Sequence, residues 1–279
     1  MSRVAVLGTG LLGSAFAEGL LSRGTTDLVV WNRTRSKAES LATQGARVVD
    51  SAADAVTGVD FIHLVLRDDD SVDATVAGLR VSLARGAVIL DHTTTRPDRT
   101  AARAAALDAA GIDYLHAPVM MGPGAARTAK GMMLVAGPNE RFARVRDHLA
   151  TMTGELWHVG ERPDLAAVYK LLGNAAVLSM VGVLADIMHL SDAAGVTRGV
   201  ALQMLSKVNL GGTIGVRGPM MAEGNFEPQF TLDVARKDLR LMLETANAHP
   251  TPMLRALASR MDELIASGEG EHDVAVLGR

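Results

Sequence analysis

Three glycines near the N-terminus stand at the spacing that lets a backbone approach a pyrophosphate. In Gly8-Thr9-Gly10-Leu11-Leu12-Gly13, Gly8 serves the tight turn, Gly10 the close approach to phosphate, and Gly13 the packing of helix on strand. Further on, Asn32-Arg33-Thr34 closes a second apolar run, where an NAD-selective site usually places Asp or Glu for the ribose 2′-hydroxyl. A guanidinium there forms forked, charge-assisted bonds to a 2′-phosphate, and Asn32 and Thr34 add neutral donors. These residues predict NADP(H) binding. Lys170 stands out by its setting. It is one of only five lysines, it lies in an otherwise apolar stretch, and Asn174 follows one helical turn later on the same face. A snorkelling or salt-bridged lysine is the other reading of that position.

The elements around the glycines are those the motif requires. Val4-Ala5-Val6-Leu7 is a short apolar run. Ala15, Phe16, Leu20 and Leu21 recur at helical spacing, Gly24 stops the helix, and Leu28-Val29-Val30-Trp31 is the second strand. Ser51 caps a short helix after Val48-Val49, and 61–66 reads as a buried strand ending in Arg67-Asp68-Asp69-Asp70. A helix is expected from Ser71, a strand over 87–90, and an alanine-rich helix over 98–110, stopped by Gly111. Tyr114-Leu115 and 132–135 are further strands with a glycine-rich loop between them.

After Gly160 the pattern changes. Pro163 breaks the chain, Asp164 can cap, and 165–194 runs without proline and apolar on all sides. A long, nearly fully buried helix is expected there, and one chain can hardly bury it, so a second subunit is expected to help. Helices follow over 197–207, 215–223, 231–248 and 252–267. The expected fold class is α/β: an N-terminal Rossmann doubly wound sheet over 1–163, an all-α C-terminal domain over 164–279, and a long helix joining them.

Composition bounds the function. The 279 residues are 48 % hydrophobic, enough for two cores, and the net charge of −3 offers no basic field for nucleic acid. With no cysteine, disulfides and thiolate metal sites are excluded, and the eight histidines are scattered, so no metal is expected. The N-terminus lacks a signal-peptide pattern, and no uncharged apolar run reaches about 18 residues, so a soluble cytoplasmic protein without a membrane span is expected. Fourteen methionines against nine aromatics assign core filling to Met, Leu and Val.

Several motifs along nearly the whole chain carry a resemblance: the glycine turn with Trp31-Asn32-Arg33-Thr34, Leu66-Arg67 with Ser71, Asp91-His92-Thr93-Thr94-Thr95-Arg96-Pro97, Lys170 with Asn174, Phe230-Thr231-Leu232 through Lys237-Asp238, and Asp273-Val274-Ala275-Val276. On these the chain resembles the β-hydroxyacid dehydrogenases, which include 3-hydroxyisobutyrate and tartronate semialdehyde reductases, and is similar to the related imine reductases. The resemblance implies that Leu66, Arg67, Ser71 and Thr94 lie on the nicotinamide side. It further implies that Lys170 and Asn174 are catalytic, and that Lys237 and Asp238 lie near the active site, with Lys237 serving cofactor, substrate anion or the pKa of Lys170. Hydride transfer to a carbonyl needs a proton at the oxygen, and a lysine supplies it when burial or positive neighbours lower its pKa.

One segment departs from the family pattern. Where relatives often carry Asp-Ala-Pro-Val-Ser-Gly-Gly, a loop that cradles a carboxylate, this chain has His116-Ala117-Pro118-Val119-Met120-Met121-Gly122 followed by Pro123. The hydroxyl is gone and Pro123 removes an N–H, while the amides of Met121 and Gly122 remain. Met120, Met121 and Gly122 are therefore expected to line a more apolar substrate pocket, unless both thioethers point into the core. Three functions stay open. The leading one is an NADPH-dependent reductase or dehydrogenase of a carbonyl or 3-hydroxy acid; the others are an imine reductase and a non-catalytic NADP(H)-binding protein. The expected assembly is a homodimer, with a tetramer as the larger alternative.

Overall fold

The short apolar runs become a nine-stranded sheet. The computed structural model describes residues 2–279. Its strands are β1 (Val4–Leu7), β2 (Leu28–Trp31), β3 (Arg47–Val48), β4 (Phe61–Leu64), β5 (Val88–Asp91), β6 (Asp113–His116), β7 (Val119–Met120), β8 (Met132–Ala136) and β9 (Glu155–Gly160). Strands β3-β2-β1-β4-β5-β6 lie side by side and parallel; β8 runs antiparallel beside β6, β7 antiparallel to β8, and β9 parallel to β8. That parallel order is the doubly wound one, and the direction of winding reverses between β1 and β4.

Strand periodicity explains the two hydrophobic layers of this region. Val4 and Val6 of β1, Leu28 and Val30 of β2, and Val88 and Leu90 of β5 feed one core with Phe16 and Leu20. Ala5, Leu7, Val29 and Ile89 point to the opposite face and join Val72, Val76 and Leu79. A parallel sheet covered on both faces leaves no polar side, so its strands are continuously apolar.

The helices between strands are α1 (Leu11–Ser22), α2 (Glu39–Ala42), α3 (Ala52–Val56), α4 (Asp69–Leu79), α5 (Pro97–Ala109), α6 (Pro123–Arg127) and α7 (Asn139–Ala150). Ser51 caps α3, its Oγ accepting from the Asp54 N–H at 3.0 Å. Helix α4 starts two residues before the expected Ser71, because Asp68 is its cap and accepts from the Ser71 N–H at 3.0 Å. Pro97 opens α5, where its missing N–H costs nothing. Strands β3, β7 and β9 and helices α2, α6 and α7 had no counterpart in the expected pattern.

Helix α8 (Leu165–Ala193) is followed by α9 (Arg198–Leu205), α10 (Leu210–Glu223), α11 (Leu232–Ala246) and α12 (Pro252–Ala266). Helix α10 begins five residues before the expected start, because Asn209 caps it, Oδ1 accepting from the Gly212 N–H at 2.9 Å. Leu232, Ala235 and Leu239 of α11 pack on Leu254, Ala258, Met261 and Leu264 of α12, the three-and-four spacing of an amphipathic pair. Buried Asp186 of α8 accepts from the Leu254 N–H at 2.8 Å and so caps α12. Buried Asp273 takes N–H donors from Gln229, Phe230 and Ala275, with the Arg217 guanidinium 3.2 Å away, and thereby pins the tail.

Two compact units emerge, Met1–Asn174 and Ala175–Arg279, and the division falls inside α8. That helix was expected to need a second subunit to bury it; in the single chain Leu172 is 63 % and Leu178 69 % exposed. By length and composition alone it is also long and apolar enough to cross a membrane. Lys170 and Asp186 interrupt its uncharged run, which is why a search for an uninterrupted one passed over it.

Candidate functional site

A cleft of about 750 Å³ opens at the carboxyl ends of β1, β2 and β4, where the winding reverses. Gly8 and Gly10 line it from the β1 side, Asn32, Arg33 and Thr34 from the β2 side, and Leu66, Arg67 and Ser71 from the β4 side. The three glycines do different things. Gly8 has φ of +98°, and a Cβ there would lie 2.3 Å from the Val65 carbonyl oxygen. A Cβ on Gly13 would lie 1.8 Å from the Gly8 oxygen, so strand and helix meet only because that position is glycine. A Cβ on Gly10 would meet nothing within 4 Å, so the space over it is open. Thr9 Oγ1 is buried without a partner at the same turn. An open Gly10 at the N-terminus of α1, together with basic residues on the β2 side, fits the phosphates of a dinucleotide.

Not every expected cofactor residue offers its side chain. Asn32 Oδ1 accepts from the Thr9 N–H at 3.0 Å and Nδ2 donates to the Thr34 carbonyl at 2.9 Å, so this amide ties the first two loops together. Leu12 packs against the core, while Leu11 is 84 % exposed. The Ser71 hydroxyl donates to Asp68 at 2.6 Å, and Arg67 Nε donates to the same carboxylate at 2.8 Å. Lys37 lines the cleft and was missed, although the basic run Arg33-Thr34-Arg35-Ser36-Lys37 contains it. Arg35, between the two cleft cations, is engaged by Asp50 at 2.5 Å.

Thr94 sits on a segment built from below. It is exposed between buried Thr93 and Thr95. Asp91 Oδ1 accepts from the Thr93 N–H at 3.0 Å, and His116 Nε2 donates to the Thr93 carbonyl at 2.9 Å. Thr93 Oγ1 in turn accepts from the Leu66 N–H at 3.1 Å, joining the ends of β4 and β5. Beneath lies Arg103, 4 % exposed at its side chain, donating to Asp69 at 2.8 Å and Asp73 at 2.6 Å, with Asp91 3.8 Å away. Asp69 accepts from the Arg96 N–H at 2.9 Å and Tyr114 donates to Asp91 at 2.9 Å. His116 is thus a fully buried structural strut.

Lys170 is half-buried on α8. Its Nζ donates to the Val119 carbonyl at 2.7 Å and lies 3.6 Å from Met120 Sδ. Burial pushes its pKa below the ordinary lysine value. Asn174, one turn on, is also half-buried. The methionines part company: Met120 reaches Lys170, whereas Met121 packs against the core beneath α1. Gly122 is exposed and stands at the N-cap position of α6. Lys237 and Asp238 belong to the second unit, where they pair with each other at 2.7 Å.

A second buried feature lay unread in the sequence. His92 Nδ1 lies 2.6 Å from the Ala117 carbonyl and must donate to it. His92 Nε2 then accepts from His63 Nδ1 at 2.8 Å, and His63 Nε2 accepts from His148 Nε2 at 2.9 Å. This polarity requires neutral rings at His92 and His63, whose Nε2 atoms accept, while His148 only donates. Burial lowers all three pKa values, His92 and His148 to about 4 and His63 well below the ordinary value. Among the described residues no group of three or more His, Asp or Glu is placed to hold a metal ion.

Residues 3–160 match the family described as the NAD-binding domain of 6-phosphogluconate dehydrogenase. Residues 165–279 match the NAD-binding family of NADP-dependent 3-hydroxyisobutyrate dehydrogenase. An uncharacterized oxidoreductase of Bacillus subtilis (strain 168), YfjR, is 30 % identical over 99 % of this chain and 98 % of its own length. The 3-sulfolactaldehyde reductase of Escherichia coli (strain K12) is 28 % identical over 98 % of this chain and 93 % of its own. An imine reductase from Pseudomonas sp. has the same fold, with a TM-score of 0.91 at 23 % identity over 99 % of this chain and 98 % of that one.

Proposed function

The chain belongs to the NAD(P)-dependent 3-hydroxyisobutyrate dehydrogenase family of oxidoreductases, and we propose that it is an NADPH-dependent carbonyl reductase with Lys170 as proton donor. The observation that carries this reading is the half-buried Lys170, its pKa lowered by desolvation and its Nζ held 2.7 Å from the Val119 carbonyl. When bound, the nicotinamide supplies the hydride. The Lys170 ammonium gives its proton to the substrate oxygen as negative charge develops there, and a water proton restores it. Asn174, one turn along the same face, orients the substrate oxygen beside that ammonium. In the oxidative direction neutral Lys170 takes the proton back.

Preference for NADPH rests on Arg33 and Lys37, two cations on the cleft wall beside the ribose end, with no carboxylate lining that wall. Leu66 and Arg67 line the β4 side of the cleft, and Thr94 is assigned to the nicotinamide on family resemblance. Lys237 and Asp238 are assigned to the substrate side on family resemblance. The substrate is a small carbonyl compound or the corresponding hydroxy acid. A second reading, reduction of C=N bonds, draws support from the Met120 thioether beside Lys170 and from the shared fold of imine reductases. The exposed apolar surface of α8 supports a homodimer, in which a second copy covers the adjacent Leu178 and Val181.

Oxidation of NADPH and NADH against semialdehydes, neutral ketones and cyclic imines tests the proposal. NADPH turnover with semialdehydes or ketones is expected. Turnover of imines alone moves the chain to the second reading, and strict preference for NADH removes the role given to Arg33 and Lys37.

A further inference from the structure

Lys170, Gly173 and Asn174 share one face of α8, at positions i, i+3 and i+4. Gly173 is a notch in that face, and the notch is filled. A Cβ on Gly173 would lie 2.6 Å from Met120 Cε and 3.2 Å from its Sδ. The same sulfur is 3.6 Å from Lys170 Nζ. One thioether therefore lies against this helix face beside the lysine, seated there because residue 173 has no side chain. We propose that the Met120–Gly173 pair sets the substrate class of this site, admitting uncharged carbonyl or imine compounds and disfavouring substrates with a carboxylate one methylene from the reacting carbon.

The physical reason is what the pair offers. A thioether has no proton to donate and is only a weak acceptor, so it gives a carboxylate nothing to bond. A carboxylate taken out of water needs donors in return, or its desolvation goes uncompensated. The nearby ammonium is already bonded to the Val119 carbonyl and is needed for proton transfer. An apolar substituent, in contrast, gains contact with a flexible, polarizable side chain that adapts to its shape. The inference rests on the reading of Lys170 as proton donor, since that reading places the reacting carbon at this face.

The test uses the full chain loaded with NADP+ and a matched ligand pair, 3-hydroxypropanoate and its methyl ester. Titration calorimetry reads their affinities in the wild type, Met120→Ser and Met120→Leu; kcat/KM for the corresponding semialdehyde and its ester is read in parallel. The wild type is expected to bind the ester at least as tightly as the acid. Met120→Ser restores a donor and is expected to shift the acid-to-ester ratio at least about tenfold toward the acid, through affinity and KM and not kcat. Met120→Leu keeps an apolar filler and is expected to keep the ester preference. Gly173→Ala is expected to alter the ratio in the wild type and leave it unchanged in the Met120→Ser background, where the clash partner is absent. A wild type that binds the acid tenfold tighter, or a ratio that Met120→Ser does not move, overturns the proposal. Failure of the underlying reading shows separately: Lys170→Ala then leaves turnover intact, whatever the binding ratio does.

Discussion

Among the described residues, those up to Asn174 leave five large apolar side chains exposed, whereas the shorter stretch from Ala175 leaves nineteen. The first unit closes on itself. Its sheet feeds two cores, and its buried charges are paired, as in Arg103 with Asp69 and Asp73. The second unit has one modest core between α11, α12 and the tail, and its remaining helices present Val200, Leu202, Met204, Ile214 and Leu178 to solvent. The unit that carries the NAD-binding match covers its own cores, while the other leaves more apolar surface exposed. Exposed apolar surface of this extent is where another molecule is expected to sit.

The largest expected effect comes from breaking the second unit's cover. Leu178→Glu with Val181→Glu puts two charges on the exposed face of α8. Sedimentation should find the wild type dimeric or larger and the variant monomeric, with NADPH affinity retained by the first unit. If the wild type sediments as a monomer and the pair costs less than about 0.5 kcal/mol, the face is ordinary surface and the contrast between the units fails.

Acid should strike the first unit next. Folded, His63, His92 and His148 stay neutral; unfolded, each takes up a proton below about pH 6.5. The unfolded state then binds more protons, so stability is level above pH 6.5 and falls as pH drops toward 4. His92 and His148 each account for roughly 3 kcal/mol at the bottom of that window. Urea midpoints measured from pH 7.5 to 4.5 check this, and a flat profile excludes three neutral rings. Arg103→Ala sharpens the same point about buried pairing. It leaves buried Asp91 without a cation and Asp69 and Asp73 with Arg99 alone, and denaturant unfolding should show a loss of about 3–5 kcal/mol.

How much of this could be read beforehand depended on the range of the interactions. The glycine turn, the strands at Val4–Leu7 and Leu28–Trp31 and the long helix were legible because period and punctuation are local signals. Helix α7 was not, because a charged helix with only Val145 and Leu149 buried shows little apolar rhythm. Start positions slipped where a cap outweighed the apolar pattern, at Asp68 and Asn209. In the site, Arg33 and Lys170 stood out by type and setting. The histidine chain did not: His63, His92 and His148 are far apart in sequence and meet only because β4, β5 and α7 bring them together. His116 finds its partners only once β6 lies beside the Thr93 segment. Gly173 looked like an ordinary helix glycine until Met120 was found in its notch.

The central claim is that Lys170 supplies the proton. Its direct test is kcat/KM for NADPH-dependent carbonyl reduction by wild type and Lys170→Ala, with NADPH affinity measured on both. The expected result is a loss of about 10²–10⁴-fold in the variant with affinity unchanged. A variant that keeps its rate while binding NADPH normally would contradict the account.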